Sequence, residues 1–88
     1  MNQERRKQIT AARHLVLEAF ALFDRARNQL ETIRDDEQAY RDAMPDSIGD
    51  SAKGWRADEV IENLDDAISQ IEEFRNGTLY DVLDEAGA

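Results

Sequence analysis

The sequence predicts an all-α fold, an antiparallel helical hairpin with a short third helix behind it, and three observations carry that expectation. A heptad seam runs without a slip through the first half of the chain, a single proline interrupts it, and a second apolar stripe at helical spacing follows. The first helix is expected over about 4–43, the second over about 51–76 and the third over about 79–85, within one domain of residues 1–88.

The seam of the first helix steps by three and four residues through Ile9, Ala12, Val16, Ala19, Phe23, Ala26, Leu30, Ile33, Glu37, Tyr40 and Met44. Apolar or aromatic side chains at ten of these eleven positions predict one long helix, roughly 60 Å at about 1.5 Å per residue. Glu37 breaks the pattern, and an acid in a seam needs either solvent near the hairpin mouth or a basic partner such as Lys53 or Arg56. Arg13, Arg27, Arg34 and Arg41 each follow a seam position by four, with Phe20 filling the remaining slot of that row. They line one edge of the seam and, facing an acidic second helix, are expected to set its register.

Pro45 has no N–H and pushes Met44 out of the α region, so the first helix should stop by Ala43 or Met44. Asp46, Ser47, Gly49, Asp50 and Ser51 supply turn and cap chemistry, and Ile48 is expected to fold back onto the helix ends. Ser51 is the expected cap of the second helix, which then tolerates Gly54.

Ala57, Val60, Ile61, Leu64, Ala67, Ile68, Ile71 and Phe74 form the packing stripe of the second helix. The helix should end at Asn76-Gly77, with Arg75 near the negative end of its dipole. Thr78 stands three residues before Asp81 in the manner of a capping box, and Leu79, Val82, Leu83 and Ala86 give the third helix one apolar face. The second helix is long enough to cover the first only back to about residue 18, which leaves the third to reach its start.

The net charge of −9 is unevenly distributed. Residues 1–27 carry six basic groups against three acids, and residues 28–88 five basic groups against seventeen acids. Such a field repels nucleic acid and favours either plain solubility or a basic protein partner. Arg5-Arg6-Lys7 at the start is too small a patch to reverse that expectation. The absence of cysteine and of an apolar run near 18 residues, with no signal-peptide pattern, points to a cytoplasmic protein that neither spans a membrane nor relies on disulfides.

No catalytic constellation emerges. His14 is the single histidine and falls on the polar side of the seam; Ser47, Ser51 and Ser69 lack a base; Gly49 and Gly54 form no phosphate loop. Glu59, Glu62, Asp65 and Asp66, with Glu31 and Asp35, invite comparison with the magnesium-holding carboxylates of all-α nucleotide pyrophosphatases. The paired Glu-Glu-x-x-Glu pattern of those enzymes is missing, so neither a metal nor another cofactor is expected. Tyr40 and Trp55 flank the turn, where aromatics ordinarily cap the core and otherwise offer a partner an anchor.

Two surfaces remain as binding candidates. The outer face of the second helix carries Asp58, Glu59, Glu62, Asp65, Asp66, Glu72 and Glu73, an acidic array able to meet a basic protein. The first helix is apolar nearly all round at Leu15, Val16, Leu17, Phe20, Leu22 and Phe23, more than one packing stripe requires. A symmetric dimer joining the Phe20 and Leu17 surfaces into a four-helix core is the expected remedy for so thin a hairpin.

Residues 36–48, reading DEQAYRDAMPDSI, followed by Ser51 and the stripe Leu64-Asp65-Asp66-Ala67-Ile68, resemble small helical-hairpin proteins encoded by bacteriophages, prophages and other mobile elements. The resemblance covers roughly residues 30–74, and Gly54-Trp55 departs from its pattern. It implies an accessory protein of bacterial or phage origin acting in the cytoplasm. The resulting expectation is a non-enzymatic protein–protein interaction module that self-associates. The alternatives are an acidic mimic of nucleic acid that inhibits a host nucleic-acid-binding or defence complex, and a carboxylate–magnesium nucleotide hydrolase.

Overall fold

Asn2 opens the first helix by accepting the Arg5 N–H on its Oδ1 at 2.8 Å, which satisfies one of the donors a helix start leaves free. From there α1 runs Gln3–Asp42 without interruption. The computed structural model describes residues 2–88, and these form α1, a one-turn α2 (Asp46–Gly49), α3 (Ala52–Arg75) and α4 (Leu79–Ala86), with no strand among them. The fold is the all-α antiparallel hairpin the sequence predicts. Met1 lies outside the described residues.

Ala43 ends α1 with its N–H on the Ala39 carbonyl, and Pro45 stands extended at the start of α2. The one-turn α2 was not foreseen: Asp46, Ser47 and Gly49 suit a turn, and here the turn closes as helix, with the Gly49 N–H bonded to the Pro45 carbonyl at 2.8 Å. Ile48 lies 41% exposed and does not fold onto the helix ends. The contact that closes the hairpin is made by backbone, with Gly49 and Gly54 both buried against each other.

Ser51 precedes α3 as expected, but its hydroxyl donates to the Ile48 carbonyl instead of capping the new helix. At the other end Asn76 stops α3 with no residue in the left-handed region, and Thr78 precedes α4 without making the side-chain bond of a capping box. α1 packs against α3 along most of its C-terminal part and against α4 near its start. That division agrees with the reach the helix lengths allow.

The packed face of α3 is itself a heptad stripe of Gly54, Ala57, Ile61, Leu64, Ile68, Ile71 and Arg75, all buried or half-buried. It does not meet the seam the sequence singled out on α1. The α1 face turned inward is Arg13, Val16, Phe20, Phe23, Arg27, Leu30, Arg34, Glu37 and Arg41, again in steps of three and four. The arginine row is thus part of the interface, and Ala12, Ala19, Ile33 and Tyr40 are left outside. Arginine fills such places because its methylene stem packs as hydrocarbon while the guanidinium reaches the rim.

The molecule is a rod of 68 × 16 × 14 Å with a radius of gyration of 20.0 Å, where a compact chain of this length would have about 12 Å. Its core is correspondingly thin: among the described residues the buried apolar side chains are Phe20, Ala57 and Ile68, and none is sealed completely from solvent.

Candidate functional site

The inner face is held by a charge ladder whose rungs repeat every seven residues. Arg27 meets Glu72 at 3.3 Å, Arg34 meets Asp65 at 3.2 Å and Arg41 meets Asp58 at 2.8 Å. Each step of seven along α1 is matched by a step of seven back along α3, so the three rungs share one antiparallel register. Asp24 and Arg75, 3.3 Å apart, extend the ladder with its polarity reversed, and Arg13 reaches Asp84 of α4 at 3.1 Å.

Arg41 makes the strongest rung, donating from Nε and Nη2 to the two carboxylate oxygens of Asp58 in a fork. That hydrogen bond, and the nearby charges of Asp58, Asp50 and Asp42, raise its pKa above the ordinary arginine value. Arg34 Nε is 3.2 Å from Asp65 and 3.5 Å from Asp35 but out of line for a hydrogen bond, so that rung is ionic.

The ladder alters the expected acidic surface. Asp58, Asp65 and Glu72 belong to the hairpin interface, and Glu59 pairs with Arg56 at 3.2 Å along α3. Glu62, Asp66 and Glu73 are the members of the seven that stand exposed with no ion pair among the described residues. A continuous seven-acid array is therefore not what α3 presents. Arg34, between Asp35 and Asp65, also sets a fixed cation where a divalent ion would need the carboxylates to converge. Among the described residues no three His, Cys, Asp or Glu side chains form a group able to hold a metal.

The expected self-association surface splits in three. Phe20 is 3% exposed: Phe74 packs edge-on with ring centroids 5.9 Å apart, and the Arg75 guanidinium lies 4.5 Å from the ring centre on its face. Val16 is half-buried beside it. Phe20 is thus a core residue of the single chain and is withdrawn from the dimer surface, because α3 extends just far enough to seat Phe74 on it. Leu17 points to the opposite flank of α1 from Leu15 and Leu22, since at about 100° per residue it lies about 140–160° around the helix from them. Leu15 and Leu22 stand 65% and 60% exposed, with Phe23 on the boundary between the inner and outer faces.

These last residues belong to a stripe that sequence reasoning divided wrongly. Ala12, Leu15, Ala19, Leu22, Ala26, Gln29, Ile33, Asp36 and Tyr40 follow one another in steps of three and four along the outside of α1. A shallow apolar groove on this side is lined by Ala19, Leu22, Phe23 and Ala26, and a separate one by Asn28, Gln29, Thr32 and Ile33. Tyr40 and Trp55, 53% and 65% exposed, do not cap the core; Tyr40 prolongs this stripe toward the turn. The signal that could have found it was present in the sequence, as a second seam parallel to the first.

No helix among the described residues is long and apolar enough to cross a membrane. No family model, curated protein or solved structure matches this chain.

Proposed function

We propose that this chain is a non-enzymatic protein–protein interaction module that works as a homo-oligomer, an accessory protein of the bacteriophage or mobile-element kind its hairpin resembles. The observation that carries the proposal is the uncovered apolar stripe on α1, in which Leu15, Leu22 and Ile33 are at least half exposed. A helix whose second apolar face meets only water exposes surface that a partner helix would bury. The thinness of the single-chain core supports the same reading, because a hairpin this slender gains most of its additional burial by association.

The acidic-mimic reading draws less support, since four of its seven carboxylates pair with arginines of the same molecule. Light scattering across roughly 1–100 μM, the concentrations at which a dimer of micromolar affinity would form and dissociate, tests the proposal. A mass of twice the chain or more is expected, falling to that of one chain for Leu22→Glu with helicity retained. A native chain that is monomeric and folded throughout would overturn it.

A further inference from the structure

We infer that two copies of this chain pair antiparallel through the outer stripe of α1, with Ala19 of each chain against Leu22 of the other and Glu18 of each beside Arg25 of the other. This deepens the homo-oligomer proposal and rests on it.

The first support is the distribution of side-chain size. One row of the stripe holds Ala12, Ala19 and Ala26, and the neighbouring row holds Leu15, Leu22 and Gln29. When two such stripes run antiparallel, each residue of one row faces the other row, so the central layers join a small side chain to a large one, Ala19 to Leu22, Ala26 to Leu15 and Ala12 to Gln29, while Ile33 farther out meets Gln8. Parallel pairing would stack alanine on alanine and leucine on leucine, leaving alternate layers empty and crowded. Layers of constant volume pack without voids, and each void as large as a methyl group would cost stability.

Charge selects the same arrangement. The row bordering the stripe on its solvent side reads Ala11, Glu18, Arg25, Thr32 and Ala39, and neither Glu18 nor Arg25 has an ion-pair partner among the described residues. In an antiparallel pair this row meets its own copy, which sets Glu18 beside Arg25 twice about the two-fold axis. Parallel pairing would set the same row beside that of Val16, Phe23 and Leu30, with no charge to meet. A self-complementary patch that pairs unlike residues across a two-fold closes at two copies.

The surface area fits. The chain exposes 6535 Å², about 1,200 Å² more than the roughly 5,300 Å² expected of a compact monomer of its mass. A standard protein interface buries about 800 Å² on each side.

Geometry completes the case. The outer stripe lies about 100° around α1 from the face that α3 covers, close to the angle between neighbours at one corner of a square bundle. With the two-fold between residues 20 and 21, the half of α1 flanked by α3 runs beside the start of the second α1, which carries its own α4. Every cross-section then holds four helices, three of them long, where the single chain has two.

Because the chain has no cysteine, orientation can be read by cross-linking. Chains carrying Ala12→Cys and chains carrying Gln29→Cys, mixed and oxidised, should give the mixed disulfide, while Ala12→Cys alone should not link, its two copies lying about 25 Å apart along the axis. Reversing Glu18→Arg or Arg25→Glu should weaken association roughly tenfold, and the double reversal should restore it. A dimer in which Ala12→Cys links to itself would overturn the antiparallel pairing while leaving self-association standing. A dimer indifferent to both charge reversals and to Leu22→Glu would overturn the use of this face. A monomer under all conditions would overturn both proposals together.

Discussion

The backbone carbonyl of Gly49 occupies the space in which a side chain at Gly54 would begin. A Cβ built on Gly54 would collide with the Gly49 carbonyl oxygen and lie 2.6 Å from its carbonyl carbon and 2.8 Å from its Cα. The closed end of the hairpin is therefore a crossing of two bare backbones, one in α2 and one in the first turn of α3. Gly54 stands within α3 for this reason and no conformational one, since no glycine among the described residues has a positive φ.

Gly54→Ala should accordingly reverse the usual sign. In an ordinary helix interior the change stabilises by about 0.5–1 kcal/mol; here the neighbouring atoms are main chain and cannot step aside, and a loss of roughly 1–3 kcal/mol is expected. Gly49→Ala should be milder, because its Cβ would meet Nη1 of Arg41, the far end of a flexible side chain. Urea denaturation of the two variants checks the order, and a stabilised Gly54→Ala would refute the crossing.

The ladder makes a prediction of register. Arg34→Glu places two acids opposite each other and should destabilise the hairpin, and Asp65→Arg in the same chain should recover the loss. The coupling expected for such a half-exposed pair is about 0.2–1 kcal/mol, reduced by salt. A double-mutant cycle at low and high ionic strength measures it, and strict additivity would mean that the rung contributes nothing.

Phe20 and Leu22 should behave as opposites although they are two residues apart. Phe20→Ala removes the ring held by Phe74 and Arg75, and should lower folding stability by roughly 3–5 kcal/mol, enough to unfold a marginal chain. Leu22→Ala removes an exposed side chain, so the fold of the single chain should change by no more than about 0.5 kcal/mol while self-association weakens. Circular dichroism and light scattering on both variants separate the two roles.

The hairpin, its boundaries and the proline stop were legible because period, caps and breakers are local properties of the chain. Which side of α1 faces α3 was not. The seam formed by Ala12, Val16, Ala19, Phe23, Ala26 and Leu30 is the most apolar line on the helix, yet it runs midway between the two faces the structure defines, sharing Val16, Phe23 and Leu30 with the inner one and the alanines with the outer one. A hydrophobicity pattern scores Arg27, Arg34 and Arg41 as polar and so steers the seam away from them, whereas their stems and their heptad-spaced acidic partners place them inside. The matching heptads of Arg27, Arg34, Arg41 and Asp58, Asp65, Glu72 could have been paired from sequence; the Gly49–Gly54 crossing, a contact between backbones, leaves no pattern of its own.

Association through the outer stripe also couples stability to concentration. A dimer forms only from folded chains, so mass action draws the folding equilibrium toward them and the melting temperature rises with protein concentration. Between 1 and 100 μM the gain is about 1.4 kcal/mol per chain, from RT ln 100 shared by two, which for a domain of this size corresponds to roughly 5–10 °C. Leu22→Glu, with the buried Phe20 and the ladder intact, should melt at one temperature whatever its concentration, and that temperature should lie at or below the lowest seen for the native chain. Scanning calorimetry at matched ionic strength makes the comparison. A native melting temperature independent of concentration would mean that α1 keeps its outer face in water and that the stripe of Leu15, Leu22 and Ile33 is not joined to a second copy.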